Sequence, residues 1–316
     1  MPGKTVRIFT ASVLLIAGGM RASAETAAPA ENVTVTGSRS ALHYFAKTFA
    51  APTKVTGKIA RWEHRVCPLV AGQNPNYSRF ITQRVQYVAL AAGAPVNTEA
   101  SCAPNIEIVF TTTPQDLLDT VSKDDPDYLG YATSSAQRKA LATVTRPIQA
   151  RYATETTDLK GRSHLDTGRP VVNGNNITNL GGPANSRGDI LSNVPGNILD
   201  LPPFYASTGN HLNDGIHTGF NHILIMIDST KLAGQDIVPL ADYISMLALT
   251  QVNSLEACQD LPSIVNRMAP DCGHAVNGLT MYDLTYLQSL YHVTTGRNMA
   301  LQRGEIGDLM TDRLAK

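Results

Sequence analysis

The chain is poor in aromatic residues, in cysteines and in net charge, and each shortage excludes a class of protein. Only 6% of its 316 residues are aromatic, four are cysteines, and basic and acidic residues number 26 each. A neutral chain has no strongly basic field, which argues against nucleic acid as a partner. The cysteines form no CxxC pair and do not have zinc-knuckle spacing. After residue 24, no run reaches the roughly 20 apolar residues of a membrane-spanning helix.

Several catalytic motifs are also missing. The sequence has no GxSxG nucleophile elbow and no SxxK pair. The glycines at Gly181 and Gly182 lack the lysine and the strand-to-helix context of a phosphate-binding loop. The acidic run Asp124-Asp125-Pro126-Asp127 has turn composition, which favours a solvated loop over a glycosidase pair. The sequence therefore predicts no cofactor.

The N-terminus has the pattern of a secretory signal peptide. Lys4 and Arg7 precede an apolar run over 8–19, and Ala22-Ser23-Ala24 follows with small residues at the cleavage positions. We expect residues 1–24 to be removed and the mature protein to be periplasmic or secreted. Residues 1–24 hold three basic residues and no acidic one, so the mature chain would be slightly acidic.

Four cysteines remain in the expected mature chain: Cys67, Cys102, Cys258 and Cys272. An even number in an exported protein favours two disulfides over reactive thiols. Three pairings are possible. Sequence order favours Cys67–Cys102 and Cys258–Cys272, which would each close a local loop.

Composition divides the mature chain into a lead-in and one domain. Residues 25–56 are rich in Ala, Thr and Pro, which predicts a flexible segment. Residues 57–316 alternate between strand and helix patterns, which predicts a single α+β domain. Within it, residues 158–219 lose all periodicity and are crowded with Gly, Asn and Pro. A loop of this length is either a binding element or mobile.

Two helices near the C-terminus are the best-marked elements. Residues 239–251 are apolar almost all round, which is typical of a helix inside a core. Thr280 and Asp283 have the spacing of a capping box and predict the start of a second helix, with Leu284, Leu287 and Tyr291 at helical spacing. A final amphipathic helix is expected over 302–314.

The order of these elements resembles that of a zincin, the fold of many zinc metallopeptidases. The block Leu279-Thr280-x-x-Asp283-x-x-Tyr286-Leu287-x-x-Leu290-Tyr291 is similar to the helix that follows the metal site in metzincins. From Gly57 onward the chain also resembles a group of uncharacterised exported proteins of Gram-negative bacteria with a degenerate core of this kind. The resemblance implies a mixed sheet with a buried central helix and C-terminal helices.

The helix over 239–251 departs from the zincin pattern at the residues that carry the chemistry. A zincin needs HExxH, because histidines at i and i+4 let both imidazoles reach one ion while the glutamate activates water. This helix has no histidine and no glutamate, and Asp242 is its only acid. We therefore expect no conventional zinc peptidase, and lean against an enzyme.

An atypical metal site is the alternative. His211, Asp214, His217 and His222 are close in sequence and have the chemistry of metal ligands, with Asp228 beyond them. They share no helix face, so solvated loop histidines are the simpler interpretation. Two hypotheses follow. One is a non-catalytic exported envelope protein, with an envelope protein or a glycan as a possible partner. The other is a metal-dependent hydrolase built on these histidines.

Overall fold

The structure is a computed structural model that describes residues 39–99, 101–168, 171–173, 176–178, 213–232, 234–270, 272–273 and 276–315. Contacts divide the chain into two units, 1–36 and 37–316, and the described residues all belong to the second. The signal-peptide prediction and residues 25–38 of the predicted lead-in therefore lie outside the described residues, as does 179–212 of the predicted loop.

Helices and strands alternate along the described part of the chain. The helices are α1 Arg39–Phe49, α2 Pro75–Ala92, α3 Pro114–Asp124, α4 Ser135–Leu141, α5 Ile237–Leu249, α6 Met281–Leu290 and α7 Met299–Leu314, with 3-10 turns at Pro126–Leu129 and Ile264–Met268. The strands are β1 Pro68–Ala71, β2 Ile106–Thr111, β3 Ile148–Thr157, β4 Ser163–Leu165, β5 Val171–Asn173, β6 Asn176–Thr178 and β7 His217–Asp228.

Five of the strands form one mixed sheet in the order β1-β2-β7-β3-β4. The strands β1, β2 and β7 run parallel, whereas β3 is antiparallel to both β7 and β4. The strands β5 and β6 form a separate hairpin. The α+β class and the mixed sheet predicted from the sequence are confirmed.

Successive side chains of a strand point to opposite faces of the sheet, and both faces are packed. Ile106, Ile108 and Phe110 of β2 enter the main core with α2, α5 and α6, as their period of two requires. On the other face, Leu224 and Met226 of β7 pack against Leu118 of α3 and a 3-10 residue, Leu129. Because both faces are covered, β7 is buried along almost its whole length.

The predicted central helix is α5, and it is buried at every position from Pro239 to Leu249. The buried carboxylate of its one acidic residue, Asp242, has hydrogen-bond donors around it. Arg84 of α2 donates to Asp242 at 2.5 Å, and the backbone N–H of Leu279 donates at 3.0 Å. A buried carboxylate needs such partners because desolvation of an unpaired charge is costly. Asp242 therefore fastens α5 to α2 and to the segment before α6.

The capping box predicted at Thr280 is confirmed at the start of α6. Asp283 accepts hydrogen bonds from the backbone N–H of Thr280 and of Ile264, and from the hydroxyl of Ser263. Burial raises the pKa of Asp283 to about 6, although these donors act in the opposite direction. One carboxyl group thus caps a helix and anchors the preceding 3-10 turn.

Two predicted irregular regions contain regular structure. Residues 39–49 of the expected lead-in form α1, whose buried face carries Leu42, Phe45 and Phe49. The expected loop over 158–219 contains β4, the β5–β6 hairpin and the start of β7. These predictions were wrong for those residues. The partners of α1 are distant in sequence, whereas β4 pairs with the neighbouring β3 and β5 pairs with β6, so these strands were missed although their partners are local.

Two disulfides link Cys67 to Cys102 and Cys258 to Cys272, with Cα–Cα distances of 6.1 and 5.3 Å. This is the pairing that sequence order favours. The first joins the start of β1 to the segment before β2, and the second closes a loop between α5 and α6. Among the described helices, none combines the length and the apolar character needed to cross a membrane.

Candidate functional site

Aromatic side chains close the C-terminal end of α5. The last four carbonyls of a helix have no partner within the helix, so a buried end needs outside donors. Three aromatic groups supply them: Trp62 Nε1 donates to Ala248 O at 2.7 Å, Tyr152 Oη to Leu247 O at 3.0 Å and Thr250 O at 3.3 Å, and Tyr291 Oη to Leu249 O at 2.9 Å. We call this arrangement the aromatic seal.

The three side chains of the seal differ in exposure: Trp62 is buried, whereas Tyr152 and Tyr291 are half-buried. Trp62 is only 1% exposed, and burial raises the pKa of the Tyr152 and Tyr291 hydroxyls above the usual range for tyrosine. Both hydroxyls therefore stay protonated and act as donors at any physiological pH. The side chains that reach the end of α5 satisfy its backbone and leave it as part of the core.

A cavity of about 300 Å³ lies beside the seal, along the outer edge of β3. We call it the β3 cavity. Its walls come from the segment before β1, from the stretch between α3 and α4, from β3 itself and from the end of α5. Lining residues include Lys54, Arg146, Arg151, Tyr152, Leu247 and Gln251. Among the described lining residues, three are cationic and none is acidic.

The two arginines of the β3 cavity are held in different ways. Arg151 donates Nε to Leu141 O at 2.6 Å and Nη2 to Thr143 O at 3.1 Å, and burial lowers its pKa. Arg146 donates to Leu255 O at 2.9 Å and pairs with Glu256 at 2.7 Å, but 78% of the Glu256 side chain is exposed. Arg151 is therefore fixed by backbone, whereas the carboxylate partner of Arg146 can move away into water.

The sequence-predicted metal candidates do not converge. Asp214 accepts a hydrogen bond from the buried Lys58, whose ammonium also reaches Ile216 O and Gly296 O. His217 pairs with Glu63, its Nδ1 lying 2.6 Å from Oε1. His211 lies outside the described residues. Within the described part of the chain, no three His, Cys, Asp or Glu side chains are arranged to hold a metal ion.

His222 lies on the same strand, β7, five residues after His217. At about 3.3 Å per residue, five residues place the two histidines on the order of 15 Å apart, too far for one ion. His222 is 4% exposed and packs against Tyr128, with ring centroids 4.2 Å apart. Burial lowers its pKa to about 4, so the imidazole is neutral at physiological pH.

A different set of polar side chains does converge, around Gly219 of β7. A Cβ at Gly219 would lie 3.6 Å from Glu63 Cγ and 3.7 Å from Glu155 Cγ, so both glutamates lie close to the same backbone position. Each holds an imidazole: Glu63 pairs with His217, and Glu155 Oε1 lies 2.8 Å from His64 Nε2. We call these residues, together with Asn221, the imidazole–carboxylate cluster.

The strands explain the geometry of this cluster. Glu155 is opposite Gly219 in the β3–β7 register, and the backbone at Arg61 forms a bridge with Gly219 from the other side. Asn221, at a bulge in the register, donates to Glu155 Oε2 at 3.2 Å. Glu155 is 7% exposed whereas His64 is 64% exposed, so a buried carboxylate orients an accessible imidazole.

Sequence reasoning missed most of this cluster. His64 has Glu63 as its neighbour in sequence but pairs with Glu155, and Glu155 stands alone within a run of threonines on β3. The one signal in the sequence is that Glu155 is an acidic residue among the threonines of β3, and the structure buries it. Only His217 was among the predicted site residues.

Comparison with known proteins gives no match: no family model, curated protein or solved structure is similar to this chain. The zincin-like resemblance therefore stays a prediction, and the site is described by its own geometry.

Proposed function

We propose that this chain is an exported, non-catalytic binding protein of the bacterial envelope, with a degenerate metallopeptidase-like core. The observation that carries the proposal is the aromatic seal. A hydrolase of the resembled type needs metal ligands on α5 and space for water and substrate at its end. Trp62, Tyr152 and Tyr291 fill that position with donors already committed to backbone carbonyls.

The β3 cavity is the proposed binding site. Ligand sites are concave, fall in the range of about 300–1,000 Å³ and contain a few convergent polar groups. Lys54, Arg146 and Arg151 give this cavity a positive lining, and Glu256 is the exposed partner that an incoming anion would replace. The proposed ligand is therefore a small anion that carries a carboxylate or phosphate group.

Calorimetric titration of the purified protein with phosphate and with succinate tests this binding function. We expect wild-type protein to bind at least one of them, with affinity falling as salt rises because the contacts are electrostatic. Arg146→Gln should weaken binding about tenfold, since a hydrogen bond to a charged group is worth roughly 1.5–3 kcal/mol. Arg79→Gln, an exposed arginine of α2, is the matched control. Equal binding by wild type and Arg146→Gln, or no binding of either anion, would overturn the assignment of this cavity.

The proposed location outside the cytoplasm can be tested separately. The two disulfides and the signal-peptide pattern support it, because disulfides persist in oxidising compartments. Cell fractionation followed by non-reducing peptide mapping should recover the protein outside the cytoplasm with Cys258 joined to Cys272. Cytoplasmic protein with free thiols at these positions would refute the proposed location.

A metal-dependent hydrolase is the second candidate. The imidazole–carboxylate cluster has the side-chain chemistry for it, although no three His, Cys, Asp or Glu side chains of the described residues are arranged, as they stand, to hold an ion. Two histidines and two glutamates lie around Gly219, although each imidazole now bonds to one glutamate. A metal would require Glu63 and Glu155 to exchange those partners for the ion. Elemental analysis of protein purified without metal-affinity steps separates the candidates. Stoichiometric zinc that is lost in His217→Ala would establish the second candidate and refute the first. Metal-free protein with a Tm unchanged by chelator would exclude the second.

A further inference from the structure

A second, more apolar cavity lies between the first and last described helices, α1 and α7. Its volume is about 430 Å³, larger than that of the β3 cavity. The described residues that line this α1–α7 groove are His43, Tyr44 and Lys47 of α1, and Met299, Ala300, Arg303 and Gly304 of α7. Tyr44 is 56% exposed, so the groove displays an aromatic side chain that the core does not use.

Two glycines of α7, Gly304 and Gly307, differ in how much space surrounds them. At Gly307 a Cβ would lie 2.7 Å from His43 Nδ1, so α1 can approach α7 only because this residue is glycine. At Gly304 a Cβ would meet no atom of the described residues within 4 Å. Glycine inside a helix destabilises the helix relative to alanine. Gly304 brings this cost without a packing requirement, and its effect is to leave the groove open.

The charged side chains around the groove are of one sign. Lys47 is exposed, and Arg303 donates Nη2 to Ala50 O at 2.5 Å. The Nε of Arg303 is buried and has no hydrogen-bond partner among the described residues. His43 lies 3.2 Å from Asp308, and that aspartate also pairs with Arg39 outside the groove. An anion at this rim would therefore contact the partly buried guanidinium of Arg303 and the exposed ammonium of Lys47.

We propose that the α1–α7 groove binds a single-chain fatty acid, with its hydrocarbon chain along Tyr44, Met299 and Gly304 and its carboxylate at Lys47 and Arg303. The apolar lining matches the hydrocarbon chain because burial of its CH₂ groups away from water is favourable. The basic rim matches the head group, since a carboxylate bonds well to guanidinium and ammonium donors. This binding is separate from the anion site of the β3 cavity and does not depend on it.

Calorimetric titration of the purified protein with monomeric dodecanoate tests the proposal, with dodecanol as the uncharged comparison. Wild-type protein should bind dodecanoate, and Gly304→Leu should reduce the affinity at least tenfold because leucine fills the groove. The same variant should have a Tm at or above that of wild type, since leucine is the better helix former. Lys47→Glu should weaken dodecanoate binding about fivefold and leave dodecanol binding unchanged. Lys139→Glu on α4 is the matched control and should bind as wild type does.

Three results would overturn the proposal. The first is dodecanoate binding that is unaffected by Gly304→Leu. The second is equal affinity for dodecanol and dodecanoate in wild-type protein, which would leave the basic rim without a function. The third is a dimer, seen by light scattering, that Gly304→Leu dissociates and dodecanoate does not, which would make the groove a surface between two copies.

Discussion

The aromatic seal at the end of α5 and the imidazole–carboxylate cluster on β7 differ in what their polar atoms are left to do. In the seal, every aromatic donor meets a backbone carbonyl that has no partner within the helix. In the cluster, buried Glu155 holds an imidazole whose side chain is 64% exposed. The end of α5 therefore uses its polar groups to hold the fold, whereas the most exposed imidazole of the cluster, His64, lies in the segment before β1.

Removing a large side chain from the seal gives the largest expected loss. Trp62→Ala deletes a fully buried ring and the donor to Ala248 O, so it should lower the free energy of unfolding by about 3–5 kcal/mol. Urea denaturation measures the change. Tyr77→Ala, at a tyrosine that is 48% exposed, should stay within about 0.5 kcal/mol of wild type. A Trp62→Ala variant as stable as the Tyr77→Ala control would show that the seal contributes nothing to the fold.

Titration of His222 should give the next largest effect. Its pKa is lowered from 6.5 to about 4 in the fold, so the folded state binds the proton less readily than the unfolded state. Stability is therefore fully present above about pH 6.5 and is lost as the pH falls toward 4, by up to about 3 kcal/mol.

Urea midpoints measured from pH 7.5 to 4 test this expectation. His222→Phe should remove most of the loss between pH 6.5 and 4, whereas His64→Gln, at an exposed imidazole, should retain it. If the two variants have the same pH profile, the burial of His222 is not the cause.

Single hydroxyl deletions in the seal should have intermediate effects. Tyr152→Phe removes the donor to Leu247 O and Thr250 O while the ring remains, and should cost about 1–2 kcal/mol. Tyr291→Phe, which removes the donor to Leu249 O, should cost a similar amount. Thermal unfolding measures both. A cost near zero would mean that water replaces the hydroxyl, and that the end of α5 is more accessible than the seal implies.

Changes in the cluster should have the smallest effect on stability. His217→Ala breaks a partly exposed contact with Glu63, so it should cost no more than about 1 kcal/mol and less at high salt. Denaturation at low and high salt provides the measurement. A loss as large as that of Trp62→Ala would place the cluster with the seal among the elements that hold the fold.

The sequence predicted the elements that carry a strong local pattern. The apolar helix α5 and the capping box at Thr280 are such patterns, and each is present. Helix α1 was missed because the Ala-rich and Thr-rich composition of 25–56 outweighed the spacing of Leu42, Phe45 and Phe49. That spacing is a helical face, and it was readable.

The cluster could not be derived from proximity in sequence. His64 and Glu155 are 91 residues apart, and Glu63 and His217 are 154 apart. Only the register of β3 on β7 and the bridge at Arg61 bring them to Gly219. Of the four residues named as an alternative metal site, His211 lies outside the described residues. Asp214, His217 and His222 are close in sequence, but the two histidines are spread along β7 and Asp214 already has Lys58 as its partner.

The packing of α1 against α7 and α6 has a consequence for how the domain folds. Phe45 and Phe49 contact Tyr286 of α6, with ring centroids 5.9 and 4.7 Å apart, and Arg39 pairs with Asp308 of α7. The aromatic face of α1 therefore meets Tyr286 only after the chain has been made as far as α6. Until then this face lacks part of its cover, and exposed apolar surface is the condition under which incomplete chains aggregate. Folding of this domain is completed by its last two helices.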